Sequence, residues 1–318
     1  MASVFQNHPR KDIIRRNWNT PLLKHIYNSV HSKYRYLGFP GPDIFDIKLW
    51  RQMIKSVVAF EIPAKCGNKR SLIIDLNLNL TLIGVKYEIY FGHWENVLIN
   101  GYDNDYKKYN QQQVITLYNL DFCNLLTSKT ARSKKLKRFE ALNRLIDAER
   151  KAFIAGNGKD RSFIILFTVN DSYHKTIMNS FLNSDLDSNV KKLMVSALSH
   201  TRNINKYIDT NSMLLKGLVC VTFSDLFKVN QIRHTFLPMV RYYGKNNQHK
   251  MTHFCIVCKI EDMESAVPKT LQRKIDFLKL KSLRATDTGL IKDKILGESI
   301  VSNTDPVVFF NKYSKDLL

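Results

Sequence analysis

Apolar and polar positions along this chain fall into short runs whose order sets an architecture. An apolar run from Tyr34 to Leu37 predicts a strand, and a Gly/Pro turn follows from Gly38 to Pro42. Residues Asp43 to Lys55 carry apolar positions at helical spacing, and Val57 to Phe60 is a second apolar strand that ends on Glu61. Strand, turn, helix and strand in this order predict a βαβ unit, which presents the end of its first strand to a ligand.

The alternation continues downstream. Ser71 to Leu82 fits either period; its place between two strands favours a helix. Lys86 to Phe91 predicts a third strand, closed by Gly92 and His93, and Val114 to Leu120 a fourth, followed by Asp121, Phe122, Cys123 and Asn124. A basic helical segment runs from Ser128 to Ala155. Ser162 to Val169 is the most apolar strand and is expected at the sheet centre. Ser188 to Leu215 reads as helix and Leu218 to Phe223 as strand-like. Phe236 to Tyr243 and Thr252 to Ile260, joined by a polar, turn-rich link, predict an antiparallel hairpin. The fold class expected is a three-layer α/β domain on a mostly parallel sheet with a C-terminal antiparallel hairpin. Residues 1–33 form a basic helical arm with a helix start at Pro21, residues 34–262 the domain, and residues 263–318 a lysine-rich extension with helix around Lys269 to Leu283.

Composition narrows the function. An apolar fraction of 44% argues against a disordered chain. No apolar run reaches membrane-spanning length, so no membrane span is expected. Charges near the start oppose a signal peptide, and five cysteines fit a reducing compartment, so the expected location is cytoplasmic. The net charge of +21, from 49 basic and 28 acidic residues, points to a polyanion, with nucleic acid the commonest, as substrate or partner.

The first turn carries the main candidate chemistry. Gly38 and Gly41 let the backbone approach a bulky group, and Glu61 stands twenty residues beyond Gly41. An acid there can accept hydrogen bonds from both hydroxyls of a ribose, which predicts a nucleoside-containing cofactor. Cys255 and Cys258 form a CxxC, but three residues apart on a strand they face opposite sides, so no metal is expected.

The layout resembles the class I S-adenosylmethionine-dependent methyltransferase superfamily over Lys33 to Glu261, whose sheet ends in such a hairpin. That resemblance implies S-adenosylmethionine as cofactor, with Leu37, Gly38, Pro40 and Gly41 holding its methionine part and Glu61 its ribose. It implies adenine contacts from Gly92, His93 and Trp94, with the usual acid missing or replaced by Glu95. Asp121, Phe122, Cys123 and Asn124 match the methyl-transfer centre, with Asp121 and Asn124 the candidate catalytic pair and Phe122 also a cofactor or base contact. The first loop lacks the acidic start and third glycine of that family, and Asn119-Leu-Asp-Phe-Cys-Asn124 is not a recognised catalytic motif of it.

Lys129, Arg132, Lys134, Lys135, Lys137 and Arg138 follow the fourth strand and are expected to line the mouth of the site as a phosphate ramp. Arg241, Lys245 and Lys250 in the hairpin would add a second wall. The expectation is therefore methyl transfer to a nucleic acid, DNA or RNA, at base or ribose. The alternative is an inactive protein of the same fold that binds nucleic acid within a larger complex. A dinucleotide-dependent oxidoreductase would also use Gly38, Gly41 and Glu61, but the terminal hairpin speaks against it.

Overall fold

The computed structural model describes residues 8–62, 69–110, 114–122, 138–156, 161–170, 215, 219–220, 223–224, 226–243, 250–260, 282–285, 290–292 and 305–313. Strands β1 (Tyr34–Gly38), β2 (Ile54–Glu61), β3 (Lys86–Phe91), β4 (Leu117–Asp121) and β5 (Arg161–Asn170) are mutually parallel. β6 (Ile232–Phe236) and β7 (Met239–Tyr243) both pair antiparallel with β8 (Lys250–Ile260), which in turn runs antiparallel to β5. With β9 at Ser282–Ala285 and β10 at Leu290–Lys292, the sheet order is β10-β9-β7-β8-β5-β4-β1-β2-β3. The expected mostly parallel sheet with a C-terminal hairpin is therefore present. The hairpin's first strand is broken around Leu237, whose N–H still donates to Cys255 O at 3.0 Å.

Alternation along the strands gives the sheet two apolar faces. Leu37, Val58, Phe60, Tyr118, Leu120 and Phe167 belong to one buried cluster, which includes residues of α5 (Trp94–Asn100) and α6 (Arg138–Ala155). Tyr36, Val57, Ala59, Leu117 and Leu166 belong to the other, with α2 (Thr20–Val30), α3 (Phe45–Trp50) and α4 (Lys69–Leu82). Buried Glu149 on α6 accepts from Ile115 N–H at 3.1 Å and from the Tyr118 hydroxyl, and pairs with Arg161. That cluster ties α6 to β5 and to the start of β4. Cys255 and Cys258 fall in opposite clusters, as their spacing on a strand requires.

Four elements differ from the sequence expectation. The N-terminal arm is helical from Pro9, well before Pro21: α1 (Pro9–Ile14) passes through a π-turn, Arg15–Asn19, into α2. Arg15 O closes the wider turn, accepting from both the Thr20 N–H and the Thr20 hydroxyl, the latter at 2.6 Å. The helix after the first strand is shorter than Asp43 to Lys55, because Arg51–Met53 tighten into a 3-10 turn and β2 starts at Ile54. Of Leu218 to Phe223, the described residues Val219, Cys220 and Phe223 are helical, not strand-like. Leu215, Val219, Phe223 and Phe227 are all buried at a spacing of four, a helical stripe that the apolar content concealed.

The fourth difference concerns the C-terminal extension. Ser282–Ala285 is a strand, β9, parallel to β7, and β10 (Leu290–Lys292) pairs with it. Segments of four and three residues are too short to reveal a period. Helix α7 (Pro306–Tyr313) returns to the N-terminal arm, with Phe309 against Trp18 at 6.1 Å and Phe310 against His25 at 5.5 Å. The expected helix at Ser188 to Leu215 lies outside the described residues except for Leu215, which is helical.

Candidate functional site

Parallel strands end on one edge, so the tips of β1 to β4 bring Gly38, Glu61, Phe91 and Asp121 to the same side of the sheet. β1 has β2 on one flank and β4 on the other, and the strand order reverses there. Such a switch point leaves a crevice beyond the strand ends. Gly38 is registered with Ala59 on β2 and Asn119 on β4. A Cβ at residue 38 would stand 2.4 Å from Asn119 O and 2.7 Å from the Tyr36 hydroxyl. Glycine is required there by packing of the chain itself. Gly41 adopts φ +62°, a left-handed turn conformation that glycine takes without strain.

Beneath the turn lies a buried polar network. Arg15, from the π-turn, pairs with Asp46 in the first turn of α3. The Asn119 amide donates to Asp46 Oδ2 at 2.8 Å and to the Tyr36 hydroxyl at 3.2 Å. N-terminal arm, α3, β1 and β4 are thereby fixed to one another at the switch point. Arg15, Asp46 and Asn119 were not singled out in the sequence, because each finds its partners only across long chain separations.

Glu61 ends β2, and its carbonyl accepts from Gly92 N–H at 2.9 Å. Removal from water pushes its carboxyl up to about 7, with the Ile62 N–H opposing as a donor. Among the described residues no cation pairs with it. A desolvated carboxylate with spare acceptor capacity suits neutral hydroxyl donors such as those of a ribose.

The tip of β3 is held by the protein itself. Asp103 accepts from Phe91 N–H at 3.0 Å, and Asn104 N–H donates to Phe91 O at 2.8 Å. The Asn104 amide covers Gly92, where a Cβ would meet it at 2.9 Å. His93 is the half-buried N-cap residue of α5. Trp94 and Phe122 are buried in the core, with ring centroids 5.5 Å apart. They are therefore not the open stacking platform expected of them: Phe39 packs on both, at 5.9 and 5.7 Å, and on Phe60 at 6.5 Å. Phe39, half-buried in the turn after β1, is the least buried ring of this cluster, and nothing in LGFPGP marks it locally.

Two further expectations are corrected. Arg138 does not present its charge to a phosphate: it is buried, pairs with Glu95 at 2.8 Å and lies over the Phe122 ring at 4.6 Å. Glu95, held in that pair, is equally removed from an adenine role. Arg241 is also buried, because β7 is an interior strand between β8 and β9. Lys250, half-buried, opens β8 opposite Tyr243. Cys123, Asn124, Lys129, Arg132, Lys134, Lys135, Lys137 and Lys245 lie outside the described residues. Leu37 and Pro40 are buried in and beside the turn.

Asp121 is not a free base. Lys11 of α1 reaches across the β4 tip and forms a largely buried ion pair with it. Close by, His253 on β8 stands between Thr168 Oγ1 and Asn19 Oδ1, each at 3.0 Å. An amide oxygen only accepts, so Nε2 carries the proton and Nδ1 accepts from the threonine hydroxyl. Burial first, and then the Lys11 charge, drive this imidazole down to about 3, keeping it neutral.

No protein-family model matches the chain, and no curated protein sequence matches it. Among solved structures, the chain is similar to the YcgJ protein of Bacillus subtilis, at 8% identity and TM-score 0.34, over 76% of this chain and 98% of that one. A SAM-dependent methyltransferase of Agrobacterium tumefaciens matches at 8% identity and TM-score 0.32, over 76% of this chain and 59% of that one. An SAH-bound methyltransferase of Podospora anserina matches at 9% identity and TM-score 0.32, over 73% and 75%. Likeness at this level assigns no activity. The methyltransferase-like fold rests on the chain's own strand order, with β8 inserted antiparallel between β5 and β7. No helix among the described residues is long and apolar enough to cross a membrane.

Proposed function

We infer that this chain binds S-adenosylmethionine at the β1–β2 edge and transfers its methyl group to a nucleic acid. Glu61 is the observation that carries the cofactor reading: a desolvated carboxylate, with no cation paired to it among the described residues, at the strand tip beside the Gly38–Gly41 turn. In that reading Glu61 accepts from the ribose hydroxyls, and the backbone of Gly38 to Gly41 lies along the methionine part. Phe39 offers its ring to the cofactor from the crevice floor. The bound cofactor supplies an electrophilic methyl group, and the protein aligns the acceptor and excludes water.

Asp121 serves in this account as a positioning group. Its charge is compensated by Lys11, and its carboxylate can accept a hydrogen bond from the incoming nucleophile. The net charge of +21 supports a polyanionic acceptor. Incorporation of labelled methyl from S-adenosylmethionine into RNA or DNA tests the reading, with Glu61→Ala as the control that should lose it.

The Lys11–Asp121 pair also favours a second reading, a non-catalytic nucleic-acid-binding protein of the same fold, because α1 covers the β4 tip. That reading predicts salt-sensitive nucleic-acid binding, no methyl incorporation and no dependence on cofactor.

A further inference from the structure

The opposite edge of the sheet carries a second feature that the cofactor site does not use. A cleft of about 530 Å³ opens at the amino ends of β1, β2 and β3, lined among others by Arg35, Lys55, Ser56, Lys86, Glu88 and Asn110. Arg35 is registered with Ser56, and Ser56 with Lys86, so these three form one cross-strand row. With adjacent strands about 4.8 Å apart, the two cations of that row stand roughly 10 Å from each other at the backbone.

Lys55 joins them through a backbone irregularity. Tyr34 pairs with Ile54 but Arg35 pairs with Ser56, so Lys55 is the extra residue of a bulge at the start of β2. A bulge re-aims its side chain, and this one sits at the cleft rim. Among the described residues none of the three cationic groups has an acidic partner. Glu88, the acid of the cleft, is engaged by the Tyr90 hydroxyl at 2.6 Å. Three cations against one carboxylate leave the concave wall net positive, which attracts an anion.

We propose that this cleft holds a single-stranded segment of nucleic acid, with consecutive phosphates on Arg35, Lys55 and Lys86. Lys55, on the strand between Arg35 and Lys86, fills the gap between the two outer cations, and a cleft of about 530 Å³ has the size of a small-ligand site. Glu88 and Asn110 then meet a base edge, the carboxylate accepting from an exocyclic amino group. This assignment rests on the nucleic-acid part of the proposed function but not on the cofactor site, which lies at the other edge.

Fluorescence anisotropy with short labelled single strands tests it, using Arg35→Ala/Lys86→Ala, Lys55→Ala and, as a charge control, Lys48→Ala on exposed α3 surface. The double variant should weaken binding on the order of tenfold and reduce the slope of log K against log salt by about 1.4, for two lost contacts to a single strand. Lys55→Ala should reduce it by about 0.7, and Lys48→Ala should leave it unchanged. All variants should melt with the wild type, because none of these side chains is enclosed in the core. Wild-type affinity in both cleft variants would overturn the cleft assignment while leaving nucleic-acid binding intact. No binding by the wild-type protein would overturn both. A free nucleoside monophosphate that binds as tightly as the strand would overturn the assignment in favour of a small-molecule site.

Discussion

Lys11, on the first helix, and Asp121, at the tip of β4, form an ion pair across 110 residues of chain. The pair anchors α1 over the sheet edge where the proposed acceptor enters. Both side chains are mostly removed from water, so deleting one partner leaves the other charge without compensation. Lys11→Met and Asp121→Asn should each destabilise the fold by about 2 kcal/mol, and the double variant by clearly less than the sum. Denaturant titration of the four proteins gives the coupling; strict additivity would mean that the two groups do not act on each other.

Glu61 makes a signed prediction about stability. Its folded carboxyl titrates at about 7, above its ordinary range, so its protonated form is the one the fold prefers. The stabilisation linked to that proton is full below the unfolded value and is lost as pH rises through about 7. Glu61→Gln should therefore stabilise the cofactor-free protein above pH 7 by about 3 kcal/mol or less, and have little effect at pH 4. Equal melting temperatures for the two proteins at pH 8 would show that the carboxylate is better solvated than its position indicates.

His253 acts in the opposite direction. Its imidazole is held neutral, titrating at about 3, while the unfolded chain takes up that proton in the ordinary histidine range. The native state should lose about 1.4 kcal/mol per pH unit from this residue as pH falls below the unfolded value. In His253→Gln, which keeps an amide in the Thr168–Asn19 bridge, the acid limb of the stability profile should flatten. Parallel acid limbs in the two proteins would contradict the buried neutral assignment.

Gly38 is fixed by geometry. An added Cβ meets the Asn119 carbonyl, which is backbone and cannot swing aside. Gly38→Ala should cost about 2 to 3 kcal/mol by overpacking and disturb β1–β4 pairing. Urea denaturation measures this, and a loss below about 0.5 kcal/mol would show that the strands separate freely at this point.

Much of the sheet was legible in the chain because its strands are short, apolar and separated by polar turns. The βαβ unit at Tyr34 to Glu61 and the closing hairpin follow from period and length alone. Phe39 was hidden because an aromatic residue in a Gly/Pro turn carries no local signal of what it touches. Lys11 reaches Asp121 from beyond the whole first βαβ unit and Arg15 reaches Asp46 within it, and no spacing rule connects either pair. Arg138 read as exposed because it closes a run of bases, yet it belongs to the first turn of α6 and faces Glu95. The helical stripe at Leu215, Val219, Phe223 and Phe227 was masked by apolar neighbours of strand-forming type. Tertiary partners, rather than propensity, decided each of these cases.

Calorimetric titration of the protein with S-adenosylmethionine, after removal of any bound cofactor, tests the central claim most directly. Binding is predicted above pH 7, about tenfold weaker at pH 6 because the hydroxyl donors need the ionised Glu61. Glu61→Ala should weaken it at least about tenfold, the loss expected for hydrogen bonds to a charged acceptor. Absence of binding by the wild-type protein, or affinity unchanged by both pH and Glu61→Ala, would contradict the account.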